Sequence, residues 1–214
     1  MIVTKIEPVT KTKFKVYVEE QFAFVLYKGE LSRYRIVEEQ EITEETFRKI
    51  KEEVILKRAK LRALHLLNDM DRTETQLRTK LKQGLYTEDI VEQTIAYVKS
   101  FGYIGDASYA RRYITSRQKS KSRKEIYAEL CRKGIAKEEI DAAMEECYEE
   151  QDESEAVSAL LRKKRFDPEN ATDKDRQKMY GYLARKGFSY EQIRQVIQVS
   201  DPVSYTHLTL PTKA

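Results

Sequence analysis

The densest concentration of reactive side chains in this sequence is cationic. Residues 111–133 carry nine Lys and Arg side chains against two carboxylates, Glu125 and Glu129, in a chain of formal net charge +4. Arg111, Arg112, Arg117, Lys119, Lys121, Arg123 and Lys124 are interleaved there with Ser116, Ser120 and Ser122. Cations and hydroxyls on a turn between two helices suit phosphate contact, which is salt-sensitive because it releases counterions. A flexible, solvated loop accounts for the same composition equally well. Arg123 and Lys124 tilt the balance toward binding, because cations at a helix start oppose the macrodipole.

Other cations fall at helix ends. Arg162-Lys163-Lys164-Arg165 closes one helix, where dipole complementarity is a sufficient structural reason. Arg72, Arg78, Lys80 and Lys82 form another surface, and Arg132 with Lys133 and Arg185 with Lys186 crowd two further helix ends. Each is a candidate contact to DNA or a partner, and each is equally at home on a solvated helix surface. Tyr109 and Tyr113 lie four apart and are placed to stack on bases, although burial in a core explains them better; Phe101 and Tyr103 read as inter-helix packing.

Catalytic patterns are missing. There is no phosphate loop, nucleophile elbow or paired-His motif, and Glu145, Glu146, Glu149 and Glu150 form a run on a helix end rather than a convergent pair. No catalytic residue is assigned; a hydrolase with an unrecognised site is the weakest of three functional hypotheses. Cys131, Cys147, His65 and His207 do not stand at metal-ligand spacing, so no metal or cofactor is expected. Two isolated thiols fit a reducing, cytoplasmic compartment. No signal-peptide core or bilayer-spanning run is evident.

The elements that must position these cations recur. LRTKLKQGLYTEDIVEQTI (residues 77–95), IYAELCRKGIAKEEIDAAM (126–144) and MYGYLARKGFSYEQIRQVI (179–197) share one pattern. Each opens with apolar residues four apart, Leu77/Leu81, Ile126/Leu130 and Met179/Leu183, on one helix face. Gly84, Gly134 and Gly187 follow and are expected to stop the first helix in a left-handed C′ conformation. Leu85, Ile135 or Phe188 comes next, and Ile90, Ile140 or Ile193 stands six residues past the glycine. Thr87 and Ser189 are suited to cap the second helix; Lys137 is a poorer start. Copy one is a residue shorter between its second leucine and its glycine. Glycine spacings of 50 and 53 residues leave room for one more helix per copy. Those helices are expected over 54–68, 106–118 and 152–165, with stripes Leu61/Leu64/Leu67, Tyr109/Tyr113/Ile114 and Val157/Leu160/Leu161.

Ahead of the repeats, Phe14, Val16 and Val18, then Phe22, Phe24 and Leu26, alternate with polar residues around Glu19-Glu20-Gln21, as in a hairpin with one buried face. A third short strand is expected around 34–37, and 2–6 is placed to pair with the hairpin. Thr43, followed by Glu44 and Glu45, marks the change to helix. With 36% charged residues but only 7 Gly and 4 Pro, the composition favours helix. The expected fold is mainly α: three tandem three-helix repeats in an elongated, curved array, preceded by a small N-terminal β-hairpin or three-stranded unit. The expected divisions are 1–42, 43–104, 105–150, 151–200 and a tail, 201–214. The tail, DPVSYTHLTLPTKA, breaks the charge pattern and reads as non-native.

Residues 101–135, FGYIGDASYARRYITSRQKSKSRKEIYAELCRKGI, resemble the central signature of the RecX regulatory family, at Gly102, Tyr103, Asp106, Tyr109, Ala110, Lys133, Gly134 and Ile135. LHLLNDMDRTETQLRTKL upstream is similar to the family's first repeat, departing at Asp71-Arg72-Thr73 and in the shortening before Gly84. The resemblance covers about residues 54–199, and the β-rich front end resembles that of longer members. It implies a non-enzymatic regulator, mostly inhibitory, of the RecA recombinase. Such a protein lies in the groove of the RecA filament on single-stranded DNA and modulates ATPase, strand exchange and coprotease activity. It acts as a monomer, away from membranes, in recombination, DNA repair and the SOS response. The alternative is a helical-repeat protein that binds DNA without RecA.

Overall fold

Alternation at the front of the chain builds an antiparallel sheet in the order β1 (Val3–Pro8), β2 (Lys13–Val18), β3 (Gln21–Tyr27). Val3, Val16, Val18, Phe24 and Leu26 all fall on its buried side. The computed structural model describes residues 1–148 and 151–198; Glu149, Glu150, His207 and the 201–214 tail lie outside the described residues. Glu19 and Glu20 join β2 to β3 with φ of 49° and 64°, the double left-handed turn whose twist suits a hairpin. The turn is braced to β1: the Ile2 amide donates to Glu19 Oε1 at 2.7 Å, and the Glu20 amide to Thr4 Oγ1 at 3.1 Å.

The third strand is thus the segment ahead of the hairpin, and no strand forms at 34–37. A short helix, α1 (Lys28–Tyr34), ends there instead. Glu30 accepts from the Tyr27 amide at 2.8 Å and closes its first turn. Arg35 stops it at φ 52°, and the Ile36 amide returns to the Leu31 carbonyl at 2.9 Å, placing Ile36 in the core.

Thr43 caps α2 (Glu44–Lys49), accepting from the Thr46 amide at 3.2 Å. The backbone continues through a π-helical stretch, Ile50–Leu56, into α3 (Lys57–Asp69) with right-handed helical angles at each join. Its buried residues are Ile50, Ile55, Ala59, Ala63 and Leu66. The five-residue step from Ile50 to Ile55 stays on one face because a π turn is wider than an α turn. The buried stripe of α3 therefore runs through Ala63 and Leu66. Leu61, expected inside, is 61% exposed, and Leu64 and Leu67 are half-buried.

Copy one continues with α4 (Glu74–Gln83) and α5 (Glu88–Ser100). Copy two comprises α6 (Asp106–Arg117), α7 (Arg123–Arg132) and α8 (Lys137–Cys147). Copy three comprises α9 (Gln151–Lys164), α10 (Asp173–Arg185) and α11 (Tyr190–Gln198). Leu77, Leu81, Ile126, Leu130 and Leu183 are fully buried, as are Ile90, Ile140 and Ile193. Each such burial contributes about 1.5–3 kcal/mol, so the repeated pattern contributes to the core of every copy. The described residues form two compact units, 1–109 with 133–135, and 110–132 with the residues after 135.

The helix stops follow distance from the second leucine rather than the glycine. The left-handed residues are Leu85 (φ 62°), Gly134 (83°) and Gly187 (96°). Each stands four residues after Leu81, Leu130 or Leu183. In the first and third copies the amide at this position returns to Lys82 or Ala184, both at 2.9 Å, and the next amide to Leu81 or Leu183. Gly84, a residue early, has φ −77° and is not the left-handed stop.

Candidate partner and nucleic-acid interface

The helices carrying the cations are fixed by a joint that occurs twice. In the first unit, Thr73 begins α4. Its hydroxyl accepts from the Gln76 amide at 3.3 Å and donates to the Lys133 carbonyl at 2.6 Å. The Glu74 amide donates to Asp106 Oδ1 at 2.9 Å. In the second unit, Ser122 begins α7, accepting from the Glu125 amide at 3.1 Å and donating to the Lys186 carbonyl at 2.7 Å. The Arg123 amide donates to Glu153 Oε1 at 2.9 Å. Thr73 and Ser122 are both fully buried. The joint satisfies helix-start amides and helix-end carbonyls together, and glycine makes it possible. A Cβ on Gly134 would lie 2.5 Å from Thr75, and one on Gly187 would lie 2.7 Å from Ser122 Oγ.

The Glu153 carboxylate bears on Arg123 and Lys124. It meets the positive end of α7, so these cations do not face the dipole uncompensated. Burial pushes the Asp106 carboxyl above its ordinary range, against the opposing effect of the Glu74 amide.

Many of the candidate cations are held by carboxylates. Arg78 donates to both Glu92 oxygens and, at 2.8 Å, to Glu74. Its hydrogen bonds to Glu92 raise its basicity despite burial. Burial alone would raise Glu74, but hydrogen bonds from Lys99 and Arg78 outweigh it and hold this carboxyl low. Lys82 pairs with Glu88 at 2.7 Å, Arg111 with Glu146 at 3.1 Å and Lys119 with Glu155 at 3.4 Å. Lys121 pairs with Glu129, which also accepts from the Tyr113 hydroxyl at 2.6 Å. Those donors overcome burial and lower Glu129.

Other candidates serve local structure. Arg72 caps α3 at the Leu66 carbonyl, 3.0 Å away, Arg132 reaches the Ala128 carbonyl at 3.3 Å, and Lys80 reaches Gln83 at 3.3 Å. Arg117, Arg123 and Lys133 lie 5.6–5.8 Å from the rings of Tyr113, Tyr148 and Tyr109. Tyr109 and Tyr113 are half-buried. Arg112, Lys163 and Arg165 are exposed.

One group of candidates does converge. Within the second unit, Lys124 of α7, Arg185 of α10 and Lys186 line a groove of about 510 Å³ with Tyr182, Ala128 and Gly187. Lys164 of α9 lies 5.0 Å from the Tyr182 ring. Lys186 also pairs with Glu125 at 3.2 Å in the same groove, whereas Lys124 and Arg185 are exposed. The arrangement presents cations from three helices around an aromatic ring, a combination suited to a phosphate backbone and an adjoining base.

The sequence reading missed two features. Phe101 and Tyr103 are 59% and 54% exposed rather than packed between helices, and they stack with centroids 5.7 Å apart. Lys13, Arg58, Arg62 and His65, none of them a sequence candidate, share a groove in the first unit; only the cationic spacing along α3 hinted at it.

Comparison with known proteins agrees with the architecture. Residues 59–97, 106–144 and 150–197 match the family descriptions "RecX, first three-helix domain", "RecX, second three-helix domain" and "RecX, third three-helix domain". The chain is 29% identical over 202 residues to "Regulatory protein RecX" of Caldanaerobacter subterraneus subsp. tengcongensis, covering 94% of this chain and 100% of that protein. It is 28% identical over 202 residues to the protein of the same description from Clostridioides difficile, covering 92% and 94%. A structure described as "Crystal structure of regulatory protein RecX" aligns with TM-score 0.62 and 25% identity over 93% of this chain and 99% of that one. RecX from Lactobacillus salivarius aligns with TM-score 0.56 and 24% identity over 68% and 96%, a likeness of fold.

Proposed function

The chain belongs to the RecX family, and we propose that it regulates the RecA recombinase, mostly as an inhibitor, by binding in the groove of the RecA filament on single-stranded DNA. The observation that carries the DNA side of this reading is the meeting of Lys124, Lys164, Arg185 and Lys186 around Tyr182. A protein that binds RecA protomers while these cations approach phosphate changes protomer packing, and with it ATPase, strand exchange and coprotease activity. It works by binding rather than catalysis, as a monomer in the cytoplasm, in DNA repair and the SOS response. The remaining exposed candidates, Arg112, Lys163 and Arg165, supply secondary contacts.

The test is DNA-dependent ATP hydrolysis by RecA with and without the full chain, alongside binding to a bare thymidine oligonucleotide. Substoichiometric suppression with weak bare-DNA binding is expected. A Lys124→Glu, Arg185→Glu variant should suppress about tenfold less well and lower the salt slope of DNA-linked binding by roughly 1.4, at about 0.7 per lost phosphate contact on single strands. Tight oligonucleotide binding with no effect on RecA would replace this reading with RecA-independent DNA binding. An unchanged, folded variant would remove the groove from the interface.

A further inference from the structure

The first unit has a concave surface made from residues that the function proposed above does not use. The β1–β2 turn, β3, Ile55 of the π-helical stretch, the exposed side of α3 and the α4–α5 turn enclose about 570 Å³. Val9, Val25, Ile55, Leu61 and Leu85 line it with aliphatic surface. Leu61 is 61%, Val9 40% and Tyr27 37% exposed. Single exposed apolar side chains are ordinary on a protein surface; here three of them share one concavity.

The same walls carry Lys13, Arg58, Arg62 and His65, and none of the lining residues is a carboxylate. The rim is partly preorganised. Arg58 donates to the Val25 carbonyl at 3.0 Å, pairs with Glu30 and lies 4.7 Å from the Tyr27 ring. Lys13 Nζ lies 5.4 Å from the same ring. Beyond Leu61 and His65 a shallower concavity of about 480 Å³ continues along α3 past Leu64 and Leu67 to Tyr103.

We infer that this groove docks an acidic, amphipathic peptide segment of a partner protein. Apolar side chains of the segment lie on the aliphatic floor, and its carboxylates meet Lys13, Arg62 and His65 at the rim. The floor favours protein over nucleic acid. A base stacks on a flat aromatic face, whereas the floor here is aliphatic, built by Val9, Val25, Leu61 and Leu85. Charge complementarity of this kind selects the partner and speeds its association.

The experiment is selection of a random-peptide display library against the full chain, followed by anisotropy titration of the enriched peptides. The same titration uses a Leu61→Asp, Arg62→Glu variant. Both positions are exposed, so the variant should keep the circular dichroism and melting temperature of the parent. Enrichment of Asp and Glu interleaved with Leu, Ile or Phe is expected, with affinity falling about tenfold or more in the variant. The Lys124→Glu, Arg185→Glu variant should bind these peptides normally, which separates this site from the RecA and DNA reading. An enriched pool without acidic bias, or equal binding by the groove variant, would overturn the inference. Loss of thymidine-oligonucleotide binding in the groove variant alone would overturn it in favour of nucleic acid. A change in that variant's oligomeric state would reassign the surface to a second copy of the chain.

Discussion

Gly134 offers the sharpest test of how the copies are joined. Its φ of 83° lies in the left-handed region, and a Cβ there would meet Thr75 side-chain atoms at 2.5 Å. Gly102 has φ 68° but no atom within 4 Å of its Cβ position. Gly102→Ala therefore carries the conformational cost alone, about 1–2 kcal/mol. Gly134→Ala carries that cost plus an overlap more than an ångström inside the usual 3.5–4.0 Å carbon separation, worth about 1–3 kcal/mol as overpacking. The sum, about 2–5 kcal/mol, lowers the melting temperature by about 4–20 °C at roughly 2–4 °C per kcal/mol for a chain of this size. Urea denaturation followed by circular dichroism measures both variants. In a Thr75→Gly background the cost of Gly134→Ala should fall to that of Gly102→Ala, since the obstructing Cβ has gone. Equal costs for the two glycines, or no rescue by Thr75→Gly, would refute the close-approach account of the joint.

Arg165→Gly should stabilise the chain by about 1 kcal/mol, because Arg165 ends α9 at φ 51° and is exposed; a lowered melting temperature would mean its side chain holds the helix end. Glu129 has its folded pKa depressed. Its stabilisation is therefore present above its unfolded pKa and lost as pH falls through the lower folded value. Glu129→Gln should flatten the acid limb of a stability-against-pH curve, and a limb of unchanged steepness would contradict this. Asp106 has the opposite sign. Its raised pKa favours the folded state below the unfolded value, and that contribution is lost as pH rises through the folded value. Asp106→Asn keeps an oxygen for the Glu74 amide without burying a charge, so the urea midpoint at neutral pH should hold or rise; a marked fall would show that the charge itself secures the joint.

The three copies were legible because an i, i+4 apolar pair, a stop and a later isoleucine recur, and these residues are buried in the cores except Met179, which is half-buried. Copy one shows the limit of that signal. Gly84 attracts attention as the only glycine nearby, yet helical geometry sets the stop four residues beyond Leu81, where the chain carries leucine. The period of two located β2 and β3, and the segment at 2–6 does pair with them as β1, but the strand expected around 34–37 does not form. That segment is instead a helix end, where Arg35 turns at φ 52° and the Ile36 amide returns to the Leu31 carbonyl. The α3 stripe was misplaced because the buried face is built on the small side chains of Ala59 and Ala63, beside which the larger Leu61 and Leu64 stand out in the sequence. Cations were the least legible feature. Arg78 finds Glu92 14 positions away and Arg111 finds Glu146 35 away, and no local pattern encodes such pairings. The groove at Tyr182 takes Lys124 from α7 and Arg185 from α10, with Lys164 of α9 against the ring, residues that the sequence treated as separate clusters.

Leu85 has a consequence beyond its own copy. At both internal joints the left-handed residue lacks a side chain, and a neighbouring helix start occupies the space where a Cβ would stand. A helix start offered to the end of α4 in the same manner would meet the leucine side chain instead. Leu85 thus closes the end of α4 to the kind of joint that Gly134 and Gly187 admit.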